Sequence, residues 1–292
     1  MSLEPEVQCV LRLPCELGEG PVWRAADDAL WFVDIKRRQI HRWRPADGAH
    51  ETWDAPSEPG FVLPASGGKW IAGLKDGLHW FDPAARAFEL IAPVEDPSLG
   101  NRLNDGFVDA EGRLWFGSMH DDEVEPSGAL YRFDNHQITR MDAGYCITNG
   151  PAVSPDRRTF YHTDTLKKVI YAFDLDERGA LGPKRAFATI DEGAGVPDGS
   201  AVDADGCVWT ALFGGWGVRR YSPQGVLLQT VRLPVANVTK IAFGGVDLKT
   251  AYATTARVGL SAEELAAQPL AGSIFSFPVP APGLPQHEVR SE

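Results

Sequence analysis

The chain of 292 residues has few cysteines, no long apolar run and a shortage of basic side chains. Its four cysteines (Cys9, Cys15, Cys146 and Cys207) form no C-x-x-C pair, which predicts free thiols in a reducing cytosol rather than a disulfide framework or a zinc site. No stretch approaches the roughly 20 apolar residues of a membrane span, and the N-terminus lacks the pattern of a secretory signal. These absences predict a cytoplasmic protein with no membrane partner.

Basic side chains number 28 against 40 acidic ones, so the formal net charge is −12 at pH 7. A surface that binds phosphate groups needs clustered lysine and arginine, but the basic runs here, such as residues 36–38 and 219–220, are short and scattered. We therefore expect no nucleic-acid partner. The hydrophobic content of 43% is that of an ordinary globular protein, and the sequence leaves the oligomeric state open.

Short β-rich runs, each with an aromatic residue, recur along the chain at intervals of 39, 45, 46, 48 and 43 residues. The aromatic markers are Trp31, Trp70, Trp115, Tyr161, Trp209 and Tyr252. A second β-rich run follows each marker, as in residues 78–81 (LHWF) and 130–133 (LYRF). This period is typical of a propeller blade of about four short strands. The sequence predicts an all-β fold, a single six-bladed β-propeller domain over residues 1–292.

The last repeat lacks an obvious fourth strand, whereas residues 8–14 (QCVLRLP) resemble the fourth strand of the fifth repeat, residues 229–234 (QTVRLP). We predict that the N-terminal strand pairs with the last blade and closes the ring, because closure removes an open sheet edge. The tail, residues 287–290, is the competitor for that position. One short helix is predicted over residues 261–268, capped by Ser261.

Polar side chains occupy matching positions of the repeat, 11 or 12 residues before an aromatic marker. They are Glu19, Asn104, Asn149, Asp198 and Lys240. The second repeat has residues 58–60 (EPG) at this position. If the blades are equivalent, the four oxygen-bearing side chains converge on one mouth of the central axis. Asn-Gly and Asp-Gly pairs also mark ordinary turns, but four in register favour a site.

Two carboxylates and two amides form an oxygen-only set of donors. Such a set suits Ca²⁺, Mg²⁺ or Mn²⁺ and does not demand the nitrogen and sulfur ligands usual for zinc. Two negative charges also balance one divalent ion. His120 and His162 are further candidates for a base or a metal ligand, but lone histidines in propeller loops are more often structural.

Four segments carry a resemblance to a known family: residues 17–23 (LGEGPVW), 101–106 (NRLNDG), 148–150 (TNG) and 197–199 (PDG). Over nearly the whole chain the sequence resembles the SMP-30/gluconolactonase (regucalcin-like) family. Residues 160–164 (FYHTD) and 237–240 (NVTK) look especially like the bacterial sugar-acid lactonases such as xylonolactonases. The resemblance implies a six-bladed propeller.

The resemblance also implies that Glu19, Asn149 and Asp198 hold one divalent metal ion. In this family that ion is calcium, manganese, magnesium or zinc, and in the pentonolactonase branch also iron(II). Substrate contacts are implied for Arg102, Asn104 and an acidic residue on the following loop. The family has glutamate at that last position, and the aligned residue here is Asp122.

The predicted reaction is the hydrolysis of a sugar-acid lactone (xylono-, arabinono- or gluconolactone) to the aldonic acid by a metal-activated water. Asp198 is the predicted acid and base, and Arg102 donates to sugar hydroxyls or to developing negative charge. The chain has no G-x-S-x-G, which disfavours a nucleophile-elbow hydrolase. Two alternatives remain, a non-catalytic propeller that binds metal or protein and a metal-dependent aryl-ester or organophosphate hydrolase.

Overall fold

In the computed structural model, which describes residues 5–290, six antiparallel sheets of four strands each stand around a central axis. The innermost strand of each sheet contacts the innermost strands of its two neighbours, and these contacts close into a ring. The predicted six-bladed propeller with four-stranded blades is therefore confirmed. The predicted domain also includes residues 1–4 and 291–292, which lie outside the described residues.

The strands are numbered in chain order, and the described part of the chain contains 24 of them. They are β1 (Gln8–Leu11), β2 (Gly18–Arg24), β3 (Ala29–Asp34), β4 (Gln39–Trp43), β5 (His50–Asp54), β6 (Phe61–Pro64), β7 (Trp70–Leu74), β8 (Gly77–Asp82), β9 (Ala87–Ala92), β10 (Asn101–Val108), β11 (Leu114–His120), β12 (Gly128–Asp134), β13 (Gln137–Tyr145), β14 (Thr148–Val153), β15 (Thr159–Asp164), β16 (Val169–Asp174), β17 (Arg185–Thr189), β18 (Val196–Val202), β19 (Val208–Phe213), β20 (Gly217–Tyr221), β21 (Leu227–Arg232), β22 (Val238–Gly244), β23 (Thr250–Thr255) and β24 (Ile274–Pro278). Blades one to five are formed by β2–β5, β6–β9, β10–β13, β14–β17 and β18–β21, and blade six by β22–β24 with β1.

The aromatic markers lie on the second strand of each blade, where they fill the space between neighbouring blades. The rings of Trp31 and Trp70, on blades one and two, have centroids 3.9 Å apart, and those of Trp115 and Phe160, on blades three and four, 4.5 Å. All residues of β3 are buried, because both faces of this strand pack against other blades. Outer strands such as β9 are largely exposed. The aromatic period thus reports the packing of one blade on the next.

The ring closes as predicted, through the N-terminal strand. β1 pairs antiparallel with β24, with Gln8 opposite Ser276 and Cys9 opposite Phe275. The tail does not compete for this edge, because Val289 forms a parallel bridge with Ala65 of blade two. The pairing of β1 covers the edge that β24 would otherwise expose.

The predicted short helix is also present. The helix α1 (Ala262–Ala267) has a capping box in which Ser261 accepts from the Glu264 amide. The four cysteines are free. Within residues 5–290, no helix has both the length and the apolar character needed to cross a membrane.

Candidate functional site

Irregular pairing brings polar side chains to the axis. The register between the first and second strands shifts in five of the six blades, at the point where the in-phase polar residue lies. In β2 the shift lies between Glu19 and Val22, and in β14 between Asn149 and Ala152. A bulge of this kind bends the strand and redirects its side chains. Gly150, at φ 58°, supplies the left-handed conformation that the bulge in β14 needs.

The four oxygen-bearing residues predicted from the phase of the repeat meet in one cavity of about 230 Å³. It lies at the N-terminal ends of the innermost strands. Its lining includes Glu19, Arg102, Asn104, Asn149 and Asp198. All five side chains belong to buried residues, so the surrounding blades hold them in place and limit the water around them.

Glu19 and Asp198 form a buried pair of carboxylates. Burial is the main cause that raises the pKa of Glu19 to about 7, and the charge of Asp105 adds to it. Burial, followed by the charges of Glu19 and Asp105, raises the pKa of Asp198 well above its ordinary value. Two buried negative charges that repel each other need a proton or a cation between them. The pair is therefore a favourable place for a positive ion.

The third predicted ligand fits a cation as well. The Asn149 amide nitrogen donates to Oγ1 of Thr165 at 3.0 Å, and its oxygen accepts from the Asn104 amide at 3.1 Å. These two hydrogen bonds fix the orientation of the Asn149 amide. Two carboxylates and an amide oxygen are the donors that hard divalent cations prefer. Among residues 5–290 there is no cluster of three or more His, Cys, Asp or Glu side chains suited to a metal ion. The present set has two such groups, and its third donor is an amide.

Arg102 is held on two sides. Its guanidinium donates to Oδ1 of Asn104 at 2.6 Å and to Oδ1 of Asp121 at 3.1 Å. Lys36 and Lys75 donate to the same Asp121 carboxylate at 2.8 and 2.7 Å. Although burial opposes ionisation, these hydrogen bonds hold the pKa of Asp121 well below its usual range. Asp121 is thus an anion that accepts hydrogen bonds from three cationic side chains, of which Arg102 and Lys36 line the cavity.

Asp122 is not brought to the cavity. It is exposed, and its backbone amide donates to Nδ1 of His120 at 3.2 Å. The next residue, Glu123, lines the cavity instead. Glu123 adopts φ 60° in the turn after β11, and this turn carries its side chain toward the axis. The structure therefore places Glu123, and not Asp122, at the cavity, and Glu123 is a glutamate as in the family pattern.

The two candidate histidines do not line this cavity. His162 is completely buried between Tyr145 and Phe160, and neither ring nitrogen has a hydrogen-bond partner among residues 5–290. Burial lowers its pKa to about 3. The interpretation of His162 as a structural residue fits this environment.

Two charged groups near the site have partners that the sequence did not indicate. The Lys240 ammonium donates to the Asp105 carboxylate, and the other oxygen of Asp105 accepts from the Gly150 amide at 2.9 Å. The phase of the repeat includes Lys240 but predicts no role for it. The phase does not indicate Asp105, because neighbouring side chains of a regular strand point to opposite faces. The bulge between Leu103 and Gly106 breaks that alternation.

Comparisons with known proteins agree with this architecture. A family model described as SMP-30/Gluconolactonase/LRE-like region matches residues 17–257. The 6-deoxy-6-sulfogluconolactonase of Pseudomonas putida is 40% identical over 280 residues, which cover 95% of this chain and 96% of that protein. Regucalcin of Danio rerio is 35% identical over 276 residues, which cover 92% of this chain and 93% of the relative.

The solved structures include a calcium-binding protein, regucalcin, from Agrobacterium tumefaciens. It matches with a TM-score of 0.93 and 29% identity, over 99% of this chain and 97% of that chain. Sequence and structure thus agree over almost the full length. The chain belongs to the SMP-30/gluconolactonase/LRE-like family, as the resemblance carried by its four segments predicted.

Proposed function

We propose that this protein hydrolyses a sugar-acid lactone to the aldonic acid in the axial cavity, with one divalent cation held by Glu19, Asn149 and Asp198. The observation that carries the proposal is the buried pair of carboxylates beside a fixed amide oxygen. The relative from Pseudomonas putida, named as a lactonase, supports the reaction. The structure from Agrobacterium tumefaciens, titled a calcium-binding protein, supports the cation.

The size of the cavity favours a small substrate, and its polar side chains suit hydroxyl groups. The cavity of about 230 Å³ is smaller than the roughly 300–1,000 Å³ of sites for drug-sized ligands. Xylono-, arabinono- and gluconolactone are small and carry several hydroxyl groups. Arg102, Asn104 and Glu123 line the cavity with donors and acceptors for such groups. Apolar residues such as Ile147 and Phe213 also line the cavity, so its size, rather than its lining, disfavours a bulky aryl ester or organophosphate.

When bound, a divalent cation supplies Lewis acidity to the ester carbonyl and lowers the pKa of water. Asp198 accepts a proton from the water that attacks the lactone carbonyl. As the ring C–O bond breaks, Asp198 returns that proton to the leaving ring oxygen.

Arg102 stabilises negative charge that develops on the substrate oxygen, or it binds a sugar hydroxyl. Its guanidinium is fixed by Asn104 and Asp121, so little reorganisation is needed when the substrate binds. Burial lowers the pKa of Arg102 from its very high ordinary value, and the adjacent Asp121 opposes that change. The residue therefore remains a cation during the reaction.

The test is a hydrolysis assay on chelator-treated protein that is reloaded separately with calcium, manganese, magnesium, zinc or iron(II). The substrates are xylono-, arabinono- and gluconolactone, 6-deoxy-6-sulfogluconolactone, an aryl ester and an organophosphate. Six-membered sugar lactones open unaided, so each rate is corrected for the protein-free rate. We expect at least one lactone to be opened faster than this background with a reloaded cation, and more slowly after chelation. Cation binding without hydrolysis of any substrate would instead support a non-catalytic binding propeller.

A further inference from the structure

A third buried carboxylate, that of Asp105, lies near the pair formed by Glu19 and Asp198. Asp105 is on β10 of blade three and is 2% exposed. Its oxygens accept hydrogen bonds from the backbone amides of Gly106 at 2.8 Å and Gly150 at 2.9 Å. Because Gly150 directly follows Asn149, the second of these hydrogen bonds places Asp105 beside a predicted cation ligand, and the charge of Asp105 acts on both Glu19 and Asp198.

One cationic side chain is directed at this third carboxylate. Lys240 is on β22 of blade six, opposite blade three in the ring, and its side chain reaches Asp105 across the axis. The ammonium also lies 3.4 Å from the carbonyl oxygen of Gly106. Lys240 is 7% exposed, so its charge is shielded from water and acts on its neighbours at close range.

Gly199 makes room for this lysine. A Cβ atom at Gly199 would lie 2.5 Å from Cβ and Cγ of Lys240 and 2.7 Å from its Cδ. A larger residue after Asp198 would therefore displace the lysine stem. Gly199 does not adopt a positive φ, so its role is one of packing: the missing side chain leaves space for the stem of Lys240.

We propose that Lys240 is a built-in cation that neutralises Asp105, so that of these three buried carboxylates only Glu19 and Asp198 offer negative charge to the divalent ion. This inference rests on the proposed function. Three uncompensated carboxylates would carry one negative charge more than a divalent ion balances. With Lys240 in place, the remaining two charges match one divalent ion.

The two possible roles of the Lys240–Asp105 ion pair, structural or charge-setting, predict different changes in cation affinity when the pair is lost. Loss of a structural pair disturbs all cations alike, through changed geometry. Loss of a charge changes the binding energy in proportion to the charge of the cation that binds. Comparison of a divalent with a trivalent ion therefore separates the two roles.

The experiment measures Ca²⁺ and Tb³⁺ binding to cation-free protein by calorimetry, at mildly alkaline pH where carboxylates ionise. The variants are Lys240→Met, Asp105→Asn and the double variant Lys240→Met/Asp105→Asn. We expect Lys240→Met to bind Ca²⁺ about tenfold more tightly, equivalent to about 1.4 kcal/mol, and Tb³⁺ with a larger gain. We expect Asp105→Asn to bind Ca²⁺ about tenfold more weakly, and the double variant to return close to wild type.

Lys240→Arg is the matched control, because it keeps the positive charge, and circular dichroism checks the fold of each variant. If Lys240→Met does not fold, the comparison of Asp105→Asn with the double variant still measures the effect of the ammonium. Wild-type affinity in all variants, or equal changes for Ca²⁺ and Tb³⁺, overturns the inference and leaves the proposed function intact. A wild type that binds neither cation overturns both proposals. The expected charge dependence together with no lactone hydrolysis supports the inference and counts against the proposed reaction alone.

Discussion

The side-chain amide of Asn104 donates a hydrogen bond of 3.1 Å to the amide oxygen of Asn149, its counterpart on the next blade. Its second amide hydrogen is directed to the carbonyl oxygen of Thr148 at 2.7 Å, and its own oxygen accepts from Arg102 at 2.6 Å. Asn104 therefore joins a candidate substrate-binding residue to a candidate cation ligand. Its hydrogen-bonding groups already have partners, which makes it a positioning residue as well as part of the lining.

We expect Asn104→Ala to weaken both cation binding and substrate binding. One hydrogen bond is worth about 0.5–1.5 kcal/mol, so the cation affinity should fall about three- to tenfold as Asn149 loses its partner. KM should rise because Arg102 loses one of its two side-chain partners. Calorimetry and initial rates measure the two effects. Asn101→Ala is the matched control, a buried asparagine of the same strand that bonds Ser127 and does not line the cavity. Unchanged cation affinity in Asn104→Ala would show that Asn104 does not support Asn149.

Arg102→Lys should keep the positive charge but lose the arrangement of hydrogen-bond donors. A lysine ammonium cannot reproduce the planar set of donors that reaches Asn104 and Asp121 together. We expect KM for the lactone to rise at least about tenfold, while the cation affinity stays within about twofold, because arginine does not bind cations. Arg113→Lys is the control for loss of a buried, ion-paired arginine far from the cavity. An unchanged KM would remove Arg102 from substrate binding.

Deletion of residues 1–14 should expose the edge of β24 in blade six. Because β1 supplies the fourth strand of that sheet, its loss leaves unpaired backbone groups that can pair with another chain. We expect a lower melting temperature and aggregation, measured by thermal denaturation and size-exclusion chromatography. Deletion of residues 1–6, which precede β1, should have little effect. A soluble and fully active protein lacking residues 1–14 would contradict the closure mechanism.

His162→Phe should make the protein less sensitive to acid. Burial lowers the pKa of His162 from 6.5 to about 3 in the folded protein, so below pH 6.5 the unfolded chain binds a proton that the folded chain does not. The stability is complete above that pH and is lost as the pH falls toward 3. Phenylalanine removes this loss and two unpartnered ring nitrogens, so we expect about 1–3 kcal/mol more stability at acidic pH.

The measurement is the free energy of unfolding against pH, with a chelator present. The titration of Glu19 and Asp198 is common to wild type and variant and cancels in the comparison. His41, whose pKa burial also lowers to about 3, leaves part of the acid sensitivity in both proteins. Identical pH dependence in the two proteins would mean that His162 does not contribute.

The sequence predicted the parts of this molecule that repeat. The aromatic period revealed the six blades, because each marker packs at an interface between blades. The phase of the polar residues placed Glu19, Asn149 and Asp198 at one cavity, because equivalent positions of equivalent blades surround the same axis. Residues 8–14 revealed the closure through their likeness to a strand of another blade.

The parts that break the repeat could not be predicted in this way. A bulge directs both Asn104 and Asp105 toward the axis, although a regular strand would separate them. Asp121 and Glu123 lie in a turn whose conformation decides which carboxylate reaches the cavity. Lys36 and Lys75, which donate to Asp121, come from loops of two other blades, and the period of the repeat does not relate their positions to that of Asp121.

The central claim, that Asp198 moves the proton for lactone hydrolysis at an axial cation site, is tested most directly by Asp198→Asn. The variant keeps an oxygen ligand but cannot accept the proton. Hydrolysis at saturating lactone and cation is measured together with the metal content of each purified protein. General acid–base help is worth about 10²–10⁴-fold, so we predict a loss of kcat in that range with about one cation still bound per chain. A variant that hydrolyses the lactone as fast as the wild type with the cation bound would contradict the claim, as would a wild type that never exceeds spontaneous ring opening.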